Sequence, residues 1–483
     1  MLELNDNIKS IKQDVLREVA RLAFCGKLEA ERDYLPQKLI PGPTALFRCC
    51  IYKEREIIRQ RVLLAEGKAP SSNSSPSQIV QVINSACEGC PISRYIVTEN
   101  CQKCMSKKCQ QSCNFGAISM SKDRAYIDPL KCKECGKCAE ACPYHAIADL
   151  IRPCKRSCPV GAISKDEQNI VKIDEEKCIS CGSCVRDCPF GAISDRSFLL
   201  NVIDAIKSEK EVYAIVAPAI EGQFGPNASI GKISSALIDL GFTGFYEASI
   251  GADLVADSES KEWAEAYKEG KKKTTSCCPA FVQMIMRHFP SLIENISTTV
   301  SPMIATSRFV KSIHKDSITV FIGPCIAKKT EALQHPEDID YVLTFEELYA
   351  MLCAKNIEID SYEDELQQGS LFGKQFAQTG GVTKAIVEAL KENNETIFPS
   401  VCICSGSDAC KKALMLLKAG RLPEDFIEGM VCTGGCFHGP GNLFDGKSAE
   451  NNRKKLLATA DHRTISDIYE NYPCDNLSMH HDS

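Results

Sequence analysis

The stretch Thr275-Ser-Cys-Cys-Pro-Ala-Phe281 places two adjacent cysteines directly before a proline, in a chain of 483 residues that contains 29 cysteines. Cysteines recur in two later stretches, Gly323-Pro-Cys-Ile-Ala-Lys-Lys-Thr-Glu331 and Glu428-Gly-Met-Val-Cys-Thr-Gly-Gly-Cys436. A cubane iron–sulfur cluster takes four cysteine ligands. The thiolates that would complete one such cluster are Cys278, Cys325, Cys432 and Cys436. Cys277 is then left over, and an unliganded cysteine is most often a small buried apolar residue.

The three stretches resemble, in order and in separation, the signature segments of the iron-iron (FeFe) hydrogenases, T-S-C-C-P-x-W, M-P-C-x-x-K-x-x-E and E-x-M-A-C-x-x-G-C. The resemblance extends from about Val212 to about Gly441. It implies an α/β hydrogenase catalytic domain with two lobes around the catalytic cluster. It also implies a cubane joined through Cys436 to a two-iron unit that carries carbon monoxide, cyanide and a bridging azadithiolate. The implied reaction is the reversible reduction of protons to dihydrogen.

The resemblance also implies a proton path. By position, the thiol of Cys277 would relay protons to the bridging amine of the two-iron unit. Glu259 and Glu262 match the two glutamates of the family's proton path, and Ser301, before a proline, is assigned to the serine between them. Judged by residue type alone, the two glutamates and the serine could be ordinary surface residues.

Further residues are assigned by the same motifs. Lys328 matches a lysine that hydrogen-bonds a cyanide ligand, and Glu331 ends that motif. A solvated helix lysine is the expectation for Lys329. The residues expected to surround the two-iron unit are Pro218, Ala219, Phe281, Gly323 and Met430.

Four positions depart from the common form of the family. Gly323 stands where a methionine is usual, Phe281 where the motif has tryptophan, and Ala219 where a serine is frequent. Met303 replaces the polar residues found near Ser301 in other members. These departures imply a less common branch with an altered rate or catalytic bias.

Composition limits the remaining classes. The chain is 44% hydrophobic and has a net charge of −6, which disfavours nucleic acid as a partner. The sequence shows no export signal and no uncharged run as long as a membrane span, so we expect a cytoplasmic protein without membrane segments. The cysteine spacings are typical of metal ligands rather than of disulfides.

Two runs before the central stretch match the bacterial ferredoxin pattern, Cys132-x2-Cys135-x2-Cys138-x3-Cys142-Pro143 and Cys178-x2-Cys181-x2-Cys184-x3-Cys188-Pro189. In this pattern the fourth cysteine serves the other cluster of a pair. A variant, Cys101-x2-Cys104-x4-Cys109-x3-Cys113, precedes the first run, and a shorter form, Cys154-x3-Cys158-Pro159, precedes the second. Repeated Gly-Ala-Ile tails indicate that one small ferredoxin unit was duplicated.

Sixteen cysteines from Cys87 to Cys188 would supply four accessory clusters. The crossed pairing predicts sets of Cys101, Cys104, Cys109 and Cys142; of Cys132, Cys135, Cys138 and Cys113; of Cys178, Cys181, Cys184 and Cys158; and of Cys87, Cys90, Cys154 and Cys188. The last set has an alternative, in which Cys87 and Cys90 are spare thiols in a turn. Zinc on C-x2-C pairs is a second alternative, and the ferredoxin repeat disfavours it for the first three sets.

The predicted organisation is a helical N-terminal region at 1–67, a linker at 68–78, an α+β ferredoxin-like multi-cluster region at 79–200, the catalytic domain at 210–445 and a polar, partly mobile tail at 446–483. Apolar periodicity predicts helices over residues 7–24 and about 52–66 and over Ile230–Leu240, and strands at Val212–Ala217 and Ile318–Ile322. Unliganded thiols are expected at Cys25, Cys49, Cys50, Cys353, Cys402, Cys404, Cys410 and Cys474.

The resemblance implies hydrogen turnover with a soluble electron carrier such as ferredoxin, and maturation proteins that deliver the two-iron unit. Two alternatives remain. A hydrogenase-like assembly factor would hold cubanes but no two-iron unit, and the presence of Cys277, Lys328 and both glutamates disfavours it. A hydrogen sensor would be expected to lack the relay cysteine and to have a signalling domain, and the sequence shows neither feature.

Overall fold

The computed structural model describes residues 6–71, 75, 77–90, 93–363, 366–444, 447–458, 463–472 and 477–481. Part of the predicted linker, residues 72–74 and 76, lies outside the described residues, and so does Cys474. No described helix has the length and apolar composition needed to cross a membrane.

Four helices form the N-terminal region: α1 Asn7–Phe24, α2 Leu28–Glu31, α3 Leu35–Leu39 and α4 Ile51–Ala65. The predicted bounds of α1 are confirmed, and its apolar stripe, including Val15, Val19 and Leu22, is buried. This stripe belongs to the same hydrophobic core as the strands of the catalytic domain. On the adjoining face, Lys12 Nζ lies 2.8 Å from a carboxylate oxygen of Asp195 and 2.6 Å from one of Glu346. The N-terminal helices are therefore part of the catalytic body and not a separate domain.

The cluster region is built from short elements. Its helices are α5 Asn84–Cys87, α6 Lys108–Gln111, α7 Lys137–Ala141, α8 Pro153–Ser157 and α9 Ser183–Arg186. Its strands are β1 Val80–Val82, β2 Tyr95–Val97, β3 Ile118–Met120, β4 Ala125–Ile127, β5 Ile147–Asp149, β6 Ile163–Lys165, β7 Val171–Ile173 and β8 Ile193–Asp195. All pairings are antiparallel, β1 with β8, β2 with β5, β3 with β4 and β6 with β7. The unit between β2 and β5 is thus inserted into a second unit that β1 and β8 close.

The described residues of the catalytic domain form the strands β9 Val212–Val216, β10 Gly244–Glu247, β11 Lys273–Thr274, β12 Ile318–Ile322, β13 Tyr341–Leu343, β14 Val401–Ser405 and β15 Phe426–Met430. Its helices are α10 Leu199–Lys207, α11 Ile230–Leu240, α12 Ala248–Lys268, α13 Pro279–His288, α14 Pro302–Ile313, α15 Ile326–Gln334, α16 Phe345–Ala354, α17 Leu371–Gln375, α18 Gly381–Glu392 and α19 Ser407–Lys418. Strands β9 and β12 and helix α11 lie at, or within one residue of, their predicted bounds. Gly241 ends α11 with a φ of 118°.

Two parallel sheets position the site. One has the strand order β10-β9-β12-β13 and the other the order β11-β15-β14. The central strands β9 and β12 are almost entirely apolar and buried, as expected when helices cover both faces of a parallel sheet. Loops that follow the carboxyl ends of parallel strands are the usual place for ligands in α/β folds. The three cysteine stretches of the central motif follow β11, β12 and β15.

The C-terminal segment contains α20 Lys447–Leu457 and α21 Ile465–Asn471. Ile465, Ile468 and Met479 are buried, and His480 forms an antiparallel bridge with Thr299. These three apolar side chains of the segment therefore pack in the hydrophobic core that the catalytic domain forms.

Candidate active site

One cavity lies where the two parallel sheets meet, and all five cysteines of the three central stretches line it: Cys277, Cys278, Cys325, Cys432 and Cys436. Cys278 and Cys325 stand at the N-cap positions of α13 and α15, Cys432 follows β15, and Cys436 begins a 3₁₀ turn. The amino ends of helices α13 and α15 present unpaired N–H groups and a partial positive charge.

The four expected cluster ligands are close enough to affect one another's ionisation. Burial, and then the neighbouring thiols of Cys278 and Cys436, raise the pKa of Cys325 to about 12. Burial and Cys278 likewise raise the pKa of Cys436 to about 12. Four buried thiolates would repel one another unless a cation bound them. A set of four soft sulfur donors fits iron in a cubane.

Lys328 extends into the same cavity. Its Nζ atom is buried and lies 2.7 Å from a carboxylate oxygen of Glu331, but the two atoms are not aligned as a hydrogen bond. No other partner for Nζ is found in the described part of the chain. The ammonium group therefore has donors to spare for an anionic ligand inside the cavity, and the residues present fit the two-iron unit with its cyanide ligands.

The expectation of a solvated side chain at Lys329 is wrong. Lys329 is fully buried, and its Nζ atom lies 2.6 Å from a carboxylate oxygen of Asp195 and 2.9 Å from one of Glu347. Asp195 ends strand β8 of the cluster region, and Glu347 lies in α16. The ion pairs of Lys329 therefore connect α15, the helix that follows Cys325, to strand β8 of the cluster region and to helix α16 of the catalytic domain.

The residues expected around the two-iron unit divide into two groups. Pro218 and Met430 line the cavity, as does Met303. Ala219, Phe281 and Gly323 do not line it, and the first two are fully buried behind the wall.

A side chain on Gly323 would meet Phe321, because a Cβ atom there would lie 2.5 Å from the Phe321 ring. Phe321 itself lines the cavity. The ring thus occupies space that a methionine at position 323 would need. The close approach of the Phe321 ring therefore explains why position 323 is a glycine.

Behind Cys277, a buried carboxyl group begins the expected proton path. Glu259 lies on α12 and is 1% exposed, and its Oε1 atom accepts a hydrogen bond from the Ser276 N–H at 3.3 Å. Burial, followed by the charge of Glu262, raises the pKa of Glu259 to about 8. The Glu259 carboxyl also acts on the Cys277 thiol electrostatically. Glu259 is consequently protonated at neutral pH and close to Cys277.

The serine between the two glutamates is Ser297, and its assignment to Ser301 was wrong. Ser297 Oγ donates to Glu262 Oε2 at 2.6 Å and also interacts with Glu259. Ser301 instead precedes α14, and its buried hydroxyl has no partner among the described residues. The reason is tertiary, because the Ser297 N–H donates to the carbonyl of Thr274 and so lies beside β11.

One sequence signal could have pointed to Ser297. It begins a run of three hydroxyl residues, Ser297-Thr-Thr299, between two apolar residues. The outer glutamate is held by this run, since the Thr298 N–H lies 3.0 and 3.1 Å from the two oxygens of Glu262. Lys273 pairs with Glu262 at 2.8 Å, and these contacts lower the pKa of Glu262 against the effect of burial.

The repeated Gly-Ala-Ile tails have a structural role in the cluster region. The last cysteine of each run accepts a hydrogen bond from the N–H of the alanine four residues later: Cys113 from Ala117, Cys142 from Ala146, Cys158 from Ala162 and Cys188 from Ala192, at 3.3 to 3.4 Å. The residue before each alanine has a positive φ, which Gly116, Gly161 and Gly191 adopt readily and His145 adopts in the remaining repeat. Hydrogen bonds to sulfur are among the features that tune iron–sulfur clusters.

The structure brings most of the thiols of the predicted sets close to one another. Cys109 interacts with Cys142, Cys101 and Cys104, Cys138 with Cys132 and Cys113, and Cys184 with Cys181, Cys178 and Cys158. In the last set, burial and then Cys188, Cys90 and Cys87 raise the pKa of Cys154 to about 11. Cys135, of the second set, is exposed, as are Cys25, Cys49 and Cys50 outside the sets.

The sets also follow one another in space. Cys181 lines the same cavity as the cysteines of the central stretches and interacts with Cys432. Cys184, of the same set, interacts with Cys154 of the neighbouring set. The unit inserted between β2 and β5 holds the two sets that contain Cys101 and Cys132. It contacts the unit closed by β1 and β8 through an ion pair between Glu134 and Lys165 at 3.3 Å.

From these groupings we expect five cubanes in the fully matured protein, four accessory and one catalytic. Iron analysis with Mössbauer spectroscopy should give five cubanes beside the two-iron unit. Exchanging Cys87 and Cys90 together for serine should remove one cubane and leave the rest. A parent protein with only three accessory cubanes would contradict the set that contains Cys87.

Comparison with known proteins identifies the family. The sequence profile of the iron-only hydrogenase large subunit, C-terminal domain, matches residues 210–440, and the 4Fe-4S binding domain matches residues 125–148 and 171–194. The chain is 30% identical over 285 residues to the large subunit of the periplasmic iron hydrogenase of Nitratidesulfovibrio vulgaris, a match of 47% of this chain and 68% of that protein. The chain belongs to the iron-only hydrogenase family. It has an FeFe hydrogenase-like fold with a ferredoxin-like 4Fe-4S region.

Other relatives show how far the family likeness extends. Iron hydrogenase 1 of Clostridium pasteurianum is 30% identical over 371 residues, which are 65% of this chain and 64% of that protein. The chain therefore spans slightly under two thirds of that relative. A probable cytosolic Fe-S cluster assembly factor of Brugia malayi also matches, with 25% identity over 273 residues, 47% of this chain and 60% of that protein. The chain is thus similar both to hydrogenases and to an assembly factor.

Proposed function

We propose that this family member catalyses the reversible reduction of protons to dihydrogen. The observation that carries the proposal is the position of Cys277, which faces the cavity beside the four-cysteine set and has a buried, protonated carboxyl group behind it. An assembly factor that only holds cubanes has no need of a proton path. This arrangement therefore favours the enzyme.

The cofactor assignment follows from the cavity wall. Cys278, Cys325, Cys432 and Cys436 would hold the catalytic cubane, and Lys328 would bind a cyanide ligand. When bound, the two-iron unit would supply the redox-active iron at which the H–H bond forms or breaks. The largely apolar wall, with Pro218, Met303 and Phe321, keeps bulk water away from this space.

Protons are moved by the chain's own groups. The Cys277 thiol is the group that faces the cavity, and the Glu259 carboxyl behind it is protonated at neutral pH and can both give and accept a proton. Ser297, with one donor and two acceptor sites, connects the two carboxyls. Glu262, whose side chain is 14% exposed, passes the proton towards solvent.

Electrons would enter by the accessory sets. The order is the inserted unit first, then the set that contains Cys154, then the set that contains Cys184, and finally the cavity. The exposed Cys135 places one end of this series at the surface. A soluble carrier such as ferredoxin is the proposed partner, and maturation proteins would deliver the two-iron unit.

The deciding experiment is infrared spectroscopy of the matured protein, together with a hydrogen assay with a reduced carrier. Bands of bound carbon monoxide and cyanide with turnover in both directions are the expected result. An assembly factor would show cubanes but no such bands. A sensor would show the bands with negligible turnover.

The position of the serine can be tested with a matched pair of variants. Ser297→Ala removes the hydroxyl between the two glutamates, and we expect turnover to fall by about 10²-fold or more, as for loss of a positioned proton-transfer group. Ser301→Ala removes a buried hydroxyl that has no partner among the described residues, and turnover should change little. If Ser301→Ala had the larger effect, with the infrared bands of both variants intact, the path through Ser297 would be wrong.

A further inference from the structure

Three cysteines that belong to no cluster set lie together on β14 and the first turn of α19. Cys402 and Cys404 are two residues apart on the strand, so their side chains point to the same face. Their Sγ atoms are 3.9 Å apart. Cys404 is 2% exposed and Cys410 is fully buried, while Cys402 is partly exposed.

We propose that Cys402 and Cys404 are a modification site, where a peroxide converts the two thiols into a reversible disulfide. The proposal is independent of hydrogen turnover. It rests on the short separation of the two sulfur atoms, on their shared strand face, and on the access that the partly exposed Cys402 gives to a small oxidant.

The surroundings make Cys404 the reactive thiol. A hydrogen bond with Cys410 lowers the pKa of Cys404, and this effect exceeds that of burial. Burial, followed by Cys404, raises the pKa of Cys402. Because the thiolate is the nucleophilic form of cysteine, Cys404 attacks first and Cys402 resolves the product.

The chemistry balances with one peroxide. The Cys404 thiolate attacks a peroxide oxygen, the O–O bond breaks, one proton is taken up and one water leaves, which gives a sulfenic acid on Cys404. The Cys402 thiol then attacks this sulfur, the S–O bond breaks and a second water leaves. Two thiols lose two electrons in total, and one peroxide becomes two waters.

The strand geometry makes the bond easy to reduce. Two steps along a strand span about 6.4–6.8 Å between Cα atoms, while disulfides join Cα atoms about 4.4–6.8 Å apart. A bond between Cys402 and Cys404 is at the upper end of that range and bends the strand. Strained disulfides have more oxidising potentials and are the labile ones.

Bending β14 would reach the catalytic loop. The Ser405 hydroxyl, next to Cys404, accepts a hydrogen bond from the Gly434 N–H at 2.8 Å, and Gly434 lies between Cys432 and Cys436. The Gly406 N–H also donates to the carbonyl of Met430 at 2.8 Å. The modification site therefore shares a strand end with the loop that bears two expected cluster ligands.

The test uses the full cluster-containing protein under anaerobic conditions. Hydrogen peroxide is added in amounts that leave the visible absorption of the iron–sulfur clusters unchanged, the protein is unfolded in denaturant that contains N-ethylmaleimide to trap every free thiol, and it is then digested with trypsin. Cleavage after Lys391 and Lys411 releases a peptide, residues 392–411, whose only cysteines are Cys402, Cys404 and Cys410. We expect this peptide to lose two hydrogens and to hold one maleimide, on Cys410.

Dithiothreitol before trapping should restore three maleimides. Three maleimides without reduction, or a single maleimide on Cys402, would overturn the proposal.

Variants sharpen the assignment. Cys402→Ser should abolish the disulfide in this peptide, and a disulfide that persisted there would overturn the pairing. Cys410→Ala should slow closure several-fold, because Cys404 loses its hydrogen-bond donor. Cys353→Ser is the matched control, since it removes a thiol of intermediate exposure on α16, and it should leave closure unchanged.

Discussion

Replacing Cys277 with alanine should lower hydrogen turnover about 10²–10⁴-fold in both directions, because a positioned proton-transfer group typically contributes a factor of this size. Cys277 is the one thiol of the cavity-lining central motifs that the cubane does not need, and it lies between the cavity and Glu259. The measurement is turnover with a reduced or oxidised carrier, together with the infrared bands of the two-iron unit. The bands should be retained.

The control for this variant is Cys353→Ala, which removes a thiol on α16 outside the cavity-lining residues and should keep full activity. Near-full activity of Cys277→Ala with an unchanged infrared spectrum would mean that Cys277 only fills space. Loss of the bands would instead indicate that the thiol is needed for assembly of the site, and the path argument would have to be abandoned.

Replacing Glu259 with glutamine should cause a loss of similar size, about 10²–10⁴-fold, because the amide keeps the shape of the side chain but cannot relay a proton. The matched control is Glu265→Gln on the same helix, where an exposed glutamate loses its charge without a role in the path. Turnover measured with both variants decides the point. Equal activity of Glu259→Gln and Glu265→Gln would contradict the path.

The raised pKa of Glu259 also predicts that the stability of the folded protein depends on pH. The folded protein holds the pKa of this carboxyl near 8, above the ordinary value of 4.5, so the folded state binds the extra proton between these two pH values. Stability from this group is therefore lost as pH rises through that window. The thermal midpoint of the parent should fall more between about pH 6 and about pH 9 than that of Glu259→Gln. Parallel curves would show that Glu259 is already ionised at neutral pH.

Local sequence determined the parts of this protein that depend on short spacing. The C-x2-C-x2-C-x3-C runs, the repeated Gly-Ala-Ile tails and the three central cysteine stretches each specify several contacts within a few residues. The apolar segments at β9, α11 and β12 were predicted within one residue for the same reason.

Tertiary structure alone decided the remaining features, because their partners are far apart in sequence. Pairing of β1 with β8 brings Cys87 close to Cys188, whereas the sequence left open whether Cys87 and Cys90 were ligands of the fourth set or spare thiols in a turn. The segment that begins at Ile296 lies against β11. This contact places Ser297, rather than Ser301, between Glu259 and Glu262.

The burial of Lys329 also depends on residues that are far from it in the sequence. It follows Lys328 in a charged helix, and residue type alone suggested that it is exposed to solvent. Its burial depends on Asp195 and Glu347, from two other parts of the chain, which together compensate the cost of removing the ammonium group from water. A lysine's neighbours in sequence indicate its charge environment along one helix, whereas its burial is set by the surfaces that the fold packs against that helix.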